Sequence, residues 1–113
     1  MIDRRRAIGK TGEDRAAAWY QERGYRLLAR NWRSRQGEID LIAERAGTVV
    51  FCEVKARTGT RFGEPLEAVT RSKQLRLRRL AAEWLRAADR FYEVRFDVVS
   101  ILGDDVTVLE AAF

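Results

Sequence analysis

The chain contains no histidine, and Cys52 is its one cysteine among 113 residues. The absence of histidine excludes Ser-His-Asp and Cys-His catalysis, histidine general bases and the usual zinc ligand sets. Any catalysis must rest on carboxylates, lysine, arginine and a metal ion. A single cysteine excludes an internal disulfide framework, so we expect a reducing, cytoplasmic environment. Long apolar runs are also missing, and no apolar segment follows Arg4 to Arg6, so we expect a soluble protein without a membrane span or secretory signal.

Lysine is scarce as well. Of the 22 basic residues only three are lysines, namely Lys10, Lys55 and Lys73, and the others are arginines. Lysine can lose its proton and arginine cannot, so a lysine at position 55, after two acidic segments, is a mild sign of function. The net charge of +5 and the pI of about 10.0 favour an anionic partner, with DNA expected before RNA. The alternative is a basic surface that serves solubility alone.

The length predicts one domain over residues 1–113, with a flexible basic arm over residues 1–9. A first helix is predicted over Thr11–Arg23, with Thr11 as its cap. Glu13 starts the apolar face of this helix, so we expect its carboxylate to point inward. The alternative is that Glu13 only stabilises the helix dipole at its first turn.

Two runs of β-type residues, 37–43 and 49–55, flank a break that contains Gly47, and this pattern is typical of a β-hairpin. A turn centred on Ala46 and Gly47 fixes which residues face each other. Side chains alternate along a strand, so the facing residues of one sheet side form three pairs: Ile42 with Phe51, Asp40 with Glu53, and Glu38 with Lys55.

Asp40 and Glu53 would then have Cβ atoms about 5 Å apart, and two like charges in that position repel. A divalent cation between them would turn repulsion into attraction, since hard cations prefer carboxylate oxygens. The hairpin therefore predicts a Mg²⁺ or Mn²⁺ site, with the carbonyl of Val54 as a third protein ligand. Glu13 would bind the same ion or one of its waters, and Lys55 would orient the attacking water or stabilise developing negative charge.

Further strands are predicted over Tyr25–Trp32, Val94–Leu102 and Val106–Ala111, and the longest helix over Thr70–Ala88. On that helix Lys73 extends the apolar stripe towards the N-terminus, so we expect it at the site as a second cationic contact. Trp32 either stacks on a base or covers the core edge. Asp97 lies within an apolar run, and we expect a salt bridge with Arg95 or Arg57 more than a metal role.

Five basic residues are candidates for contact with the nucleic-acid backbone because they flank the predicted site: Arg33, Arg35, Arg57, Arg61 and Lys73. Residues 56–63 form a polar, glycine-containing loop that either grips substrate as a lid or is an ordinary surface loop.

The order of these motifs resembles the YraN family of small proteins within the PD-(D/E)xK nuclease superfamily, with archaeal Holliday-junction resolvases as more distant relatives. The resemblance covers almost the whole chain. It rests on the segments Gly12-Glu13-Asp14, Gly24-Tyr25, Asn31-Trp32-Arg33, Gly37-Glu38-Ile39-Asp40, Glu53-Val54-Lys55, Lys73 and Arg95-Phe96-Asp97.

This resemblance implies an α/β fold with a restriction-endonuclease-like core, in which helices flank a central mixed β-sheet of about five strands. It implies metal roles for Asp40 and Glu53, a catalytic role for Lys55, an accessory acid role for Glu13 and a homodimer. We therefore expect a metal-dependent endonuclease that hydrolyses phosphodiester bonds in DNA, with branched or damaged DNA as candidate substrates. Two alternatives stay open: a nucleic-acid-binding protein that keeps the fold without cutting, and a scaffold protein whose carboxylate pair is structural.

Overall fold

The computed structural model describes the backbone of residues 4–57 and 69–113, and the side chains of residues 11–56 and 69–113. These residues form two helices and five strands. In chain order they are α1 (Arg4–Glu22), β1 (Arg26–Ser34), β2 (Gly37–Arg45), β3 (Thr48–Arg57), α2 (Arg71–Ala88), β4 (Glu93–Leu102) and β5 (Asp105–Leu109). Neither helix is long and apolar enough to cross a membrane, among the residues described.

The five strands form one sheet in the order β1-β2-β3-β4-β5. Neighbouring strands are antiparallel, except that β3 and β4 run parallel. Parallel neighbours need a long crossover connection, and α2 lies within that connection. The predicted α/β class, with a mixed five-stranded sheet flanked by helices, is confirmed.

The two helices pack on opposite faces of the sheet because β3 is apolar on both faces. Val50 and Cys52 join the core on the α1 side, where Tyr20 is fully buried. Val49 and Phe51 join the core on the α2 side, whose helical members are Leu77, Leu80 and Ala81. Cys52 is buried, as expected, and burial raises the pKa of its thiol, so it is not a reactive group.

The β2–β3 hairpin turns at Ala46 and Gly47, whose φ angles are 50° and 82°. Two successive residues with positive φ are typical of a type I′ turn, which matches the twist of paired strands. The register runs from Arg45 opposite Thr48 to Leu41 opposite Cys52 and includes the predicted pair of Ile42 and Phe51. The turn and the register of this part of the hairpin are therefore confirmed.

Helix α1 begins at Arg4, so the predicted start at Thr11 was wrong. Arginine, alanine and lysine favour helix and no proline interrupts the segment, so the helix continues through Gly9 and Gly12 despite their lower propensity. The flexibility of the basic arm stays a prediction. Residues 1–3 lie outside the described part. Helix α2 begins as predicted, with the Thr70 hydroxyl accepting a hydrogen bond from the Lys73 N–H at 3.2 Å.

Asp97 is fully buried and makes the predicted salt bridge to Arg95, at 2.9 Å for both carboxylate oxygens. The Tyr20 hydroxyl also donates to Asp97, at 2.6 Å, which fastens α1 to β4. Trp32 packs partly buried against the α2-side core, so the core-edge interpretation of this side chain is confirmed.

Candidate functional site

A cleft lies between the start of β2 and the first turns of α2. Its lining residues combine three acids, two bases, a glycine and two leucines: Glu38, Asp40, Glu53, Lys73, Arg76, Gly37, Leu77 and Leu80. Asp40 and Glu53 therefore open onto the same side of the sheet, as the hairpin pattern predicts. Lys73 lies in this cleft as well, as expected from its place on the α2 stripe.

Contrary to the prediction, Asp40 is not paired with Glu53 across the two strands. The ladder between β2 and β3 ends at Leu41 opposite Cys52, so over residues 37–57 neither Asp40 and Glu53 nor Glu38 and Lys55 form a cross-strand pair. Instead, an Asp40 carboxylate oxygen accepts a hydrogen bond from the Val54 N–H at 2.8 Å. In a regular ladder the Val54 N–H would bond to a backbone carbonyl of β2. Here the Asp40 side chain takes the place of that carbonyl and lies in the opening where the two strands separate.

The environment of Asp40 opposes its ionisation. Burial raises the pKa of Asp40 to about 7, and the negative charge of Glu53 adds to this effect. The hydrogen bond from Val54 lowers the pKa, while Glu13 and Glu38 raise it further. A half-buried carboxylate near three other carboxylates is an environment that a bound cation would stabilise.

Glu53 and Lys55 form an ion pair, with the Lys55 Nζ atom 3.2 Å from a Glu53 oxygen. Lys73 reaches the same cleft from α2, and the like charge of Lys55 lowers the pKa of Lys73. The site therefore brings two ammonium groups together beside one carboxylate. Such a pair favours an additional negative charge nearby, such as a phosphate oxygen.

Glu13 reaches this region from α1, on the other side of the opening. It accepts a hydrogen bond from the Asn31 side-chain amide at 3.0 Å and lies 3.9 Å from Arg30. Since α1 begins at Arg4, Glu13 lies nine residues beyond the helix start. The helix-dipole explanation, which acts within the first turn, therefore does not apply to Glu13.

Of the five predicted nucleic-acid contacts, Lys73 lies in the cleft, and the other four lie around it or outside the described residues. Arg33 is largely exposed and lies 3.6 Å from Glu38, one of the cleft residues. Arg35 is exposed in the turn between β1 and β2. The side chain of Arg57 and the whole of Arg61 lie outside the described residues.

Arg76 is a cleft residue that the sequence interpretation missed. Its stem packs over Gly37, where a Cβ atom would lie 3.5 Å from the Arg76 Cδ atom. Among the described residues no carboxylate pairs with it, although several acids share its cleft. The signal was present in the sequence, because Arg76 follows Lys73 by three residues and so lies on the same helix face.

Asp40 and Glu53 are suitable ligands for a hard cation, and Val54 places a backbone carbonyl nearby. Within the described parts of the chain, no three His, Cys, Asp or Glu side chains are grouped closely enough to hold a metal ion on their own. Magnesium usually keeps several waters and is bound by one or two carboxylates. The donor set therefore fits a two-carboxylate site completed by water.

The model of the uncharacterised protein family UPF0102 matches residues 12–101, a span that contains every cleft residue. The chain belongs to the UPF0102 family. Membership of the YraN family is thereby confirmed, since this is the UPF0102 family.

UPF0102 proteins of several bacteria are similar to this chain along most of its length. The UPF0102 protein of Rhodococcus opacus (strain B4) is 55% identical over 97 residues, which are 85% of this chain and 82% of the relative. That of Acidothermus cellulolyticus is 50% identical over 125 residues, covering 96% and 95%. That of Syntrophomonas wolfei is 46% identical over 101 residues, covering 88% of each chain. None of these three names states an activity, so the chemistry of this UPF0102 protein has to be inferred from its cleft.

Proposed function

We propose that this UPF0102 protein is a metal-dependent endonuclease that hydrolyses phosphodiester bonds in DNA, with branched or damaged DNA as candidate substrates. The observation that carries the proposal is the opening of the β2–β3 hairpin at Asp40. There a half-buried carboxylate, the neighbouring Glu53 and two adjacent lysines share one side of the sheet. The order of these residues along the chain resembles that of the PD-(D/E)xK nucleases, and a mixed sheet flanked by helices is the fold that this resemblance implies.

Asp40 and Glu53 would hold Mg²⁺ or Mn²⁺, with the Val54 carbonyl as a third ligand and Glu13 near the ion or one of its waters. The bound ion would lower the pKa of a water and neutralise charge on the phosphate. Lys55 would orient that water or stabilise the charge that develops on the phosphate. Stabilisation of such charge in a preorganised site is worth several kcal/mol.

Lys73 and Arg76 extend the positive charge from Lys55 along the first turns of α2. Arg76 has no carboxylate partner in the described chain, so its guanidinium can accept a phosphate without first breaking an ion pair. Arginine binds phosphate in a bidentate geometry that lysine cannot reproduce. Together with Arg33 and Arg35 at the β1–β2 turn, these residues would guide a DNA strand across the cleft.

The decisive experiment incubates purified protein with a four-way junction, a flap, a single strand and a supercoiled plasmid, in Mg²⁺, Mn²⁺ or EDTA. We expect cleavage with a divalent ion and none in EDTA. Asp40→Asn, Glu53→Gln and Lys55→Ala should each abolish cleavage and leave DNA binding intact. Failure to cut any of the four substrates with either ion would defeat the enzyme proposal.

Control variants separate loss of the site from loss of charge. Asp104→Asn and Glu22→Gln each remove one exposed carboxylate far from the cleft, paired only with Arg15 and Arg23 respectively. Both should cleave like the wild type. Lys55→Arg keeps the positive charge but loses the compact ammonium group, so recovery of cleavage in this variant would show that charge alone is required at position 55.

The alternative function is a nucleic-acid-binding protein that does not cut. The observation in its favour is the unpaired Arg76 together with the net charge of +5. Binding that weakens steeply with salt, in the absence of cleavage, would select this alternative. Arg76→Ala should reduce the slope of log affinity against log salt by about one phosphate contact, whereas Arg79→Ala on the outer face of α2 should not. The homodimer stays a prediction that light scattering with and without DNA would test.

A further inference from the structure

Asn31, the one asparagine of the chain, has an unusual backbone conformation for a strand residue. It lies inside β1, yet its φ angle is 52°, in the left-handed region. Residues other than glycine adopt this conformation infrequently, and asparagine is among those that tolerate it best. The conformation therefore turns the Asn31 side chain in a direction that a regular strand would not give it.

The consequence is that two successive side chains of β1 point to the same face. The Arg30 guanidinium donates to Asp14 at 2.6 Å, and the Asn31 amide donates to Glu13 at 3.0 Å, so both reach α1. In a regular strand, successive side chains point to opposite faces. The next residue, Trp32, then packs on the α2 side.

The register of the neighbouring pairs places Asn31 opposite Asp40. The recorded pairs on either side of it are Arg30 with Leu41 and Trp32 with Ile39. Leu41 belongs to the α1-side core and Ile39 to the α2-side core, so β2 also changes face at this row. The sheet therefore opens between β2 and β3 at the level of Asn31 and Asp40. There an Asp40 oxygen accepts the hydrogen bond from the Val54 N–H.

Asn31 also holds the Glu13 side chain, through which α1 brings a carboxylate to the opening. The Glu13 side chain is only 20% exposed, and its short hydrogen bond comes from Asn31, a neutral donor. The Arg30 guanidinium is farther away, at 3.9 Å, and it bonds at 2.6 Å to Asp14 instead. Glu13 is thus held in place by a neutral donor, and its carboxylate contributes to the raised pKa of Asp40.

We propose that Asn31 is a positioning residue that holds the Glu13 carboxylate towards the opening at Asp40, so that Glu13 strengthens the binding of a divalent cation by Asp40 and Glu53. This inference rests on the proposed function. Its physical basis is the one that applies to outer partners of metal ligands, whose loss typically weakens metal binding 10- to 100-fold. Asn31 itself touches neither the cation nor the substrate.

The test is a double-mutant cycle read by Mn²⁺ affinity, measured from the electron paramagnetic resonance signal of free Mn²⁺. Asn31→Gly tolerates the positive φ and removes only the amide. We expect it to weaken Mn²⁺ binding about tenfold. Glu13→Gln should weaken binding to a similar degree, and the double variant should be no weaker than Glu13→Gln alone.

Asp89→Gly is the matched control, since Asp89 has a φ of 50° at the end of α2, away from the cleft. It should bind Mn²⁺ like the wild type. Circular dichroism melts check that each variant is folded at the temperature of the titration. A loss of stability with unchanged Mn²⁺ affinity in Asn31→Gly would reduce Asn31 to a structural residue and overturn the inference.

Two further outcomes distinguish the inference from the proposed function. If the wild type binds Mn²⁺ but Asn31→Gly weakens binding equally in the presence and absence of Glu13→Gln, only the role of Asn31 is wrong. If the wild type itself binds no Mn²⁺, the proposed metal site is wrong, and the role of Asn31 towards it falls with it.

Discussion

Replacing Asp40 by asparagine should make the metal-free protein more stable at alkaline pH, although it removes a residue of the proposed site. Asparagine keeps an oxygen that can accept the Val54 N–H, and it carries no charge. The wild-type carboxylate, by contrast, is half-buried beside Glu53, with its pKa raised from 3.8 to about 7. The folded state therefore holds the proton more tightly than the unfolded state does.

The sign of the effect follows from proton linkage. Between pH 4 and pH 7 the folded protein binds more protons at Asp40 than the unfolded chain, so stability falls as the pH rises through this range. One pKa unit corresponds to about 1.4 kcal/mol. About two of the three units lie between pH 5 and pH 7, so wild type should lose roughly 2–3 kcal/mol from this group between pH 5 and pH 8.5. Asp40→Asn should lose none of it.

The assay is urea unfolding of both proteins in EDTA at pH 5 and pH 8.5, followed by circular dichroism. The difference in unfolding free energy between variant and wild type cancels the other titrating groups, and Asp104→Asn serves as an exposed control that should show no such shift. Adding Mg²⁺ or Mn²⁺ at pH 8.5 should stabilise wild type and not Asp40→Asn, because an ion that binds only the folded state adds to its stability. If Asp40→Asn loses as much stability as wild type between the two pH values, the electrostatic account of the opening is wrong.

Three further predictions concern the surroundings of the site. Asp97→Asn should destabilise the protein by about 3 kcal/mol in urea unfolding, because it removes the buried one of the two carboxylates that pair with Arg95, leaving only Glu110, and replaces the charged acceptor of the Tyr20 hydroxyl; a loss below about 1 kcal/mol would contradict this. Gly12→Ala should also destabilise it, by about 1–2 kcal/mol, because a Cβ there would meet a β3 side chain at 3.2 Å; a gain in stability would show that α1 can move. Lys55→Ala should raise the pKa of Lys73, measured by NMR titration, because the nearest like charge is removed. An unchanged pKa would show that the two ammonium groups do not interact.

The sequence predicted the hairpin well because local chemistry determines it. Ala46 and Gly47 form the turn, and the two-residue period of a strand then fixes the partner of Ile42 as Phe51. The same period placed Asp40 and Glu53 on one side of the sheet, and they do share one cleft. Family resemblance supplied the five-stranded architecture.

The features that the sequence did not predict depend on how the strands and helices pack in the folded protein. The period of a regular strand cannot indicate where two strands separate, so the bond from Val54 to Asp40 was missed, and so was the left-handed Asn31 opposite it. The start of α1 was placed too late because good helix formers extend a helix beyond its apolar face. Arg76 was overlooked among many arginines, although its spacing of three residues from Lys73 places it on the same helix face.

The most direct test of the central claim is a crystal of the protein soaked in Mn²⁺, with diffraction data collected at a wavelength where manganese scatters anomalously. The account predicts an anomalous peak within about 2.5 Å of one oxygen of Asp40 and one oxygen of Glu53, and no such peak in Asp40→Asn. A peak elsewhere that survives in the variant, or no peak between the two carboxylates at full Mn²⁺ saturation, would contradict it.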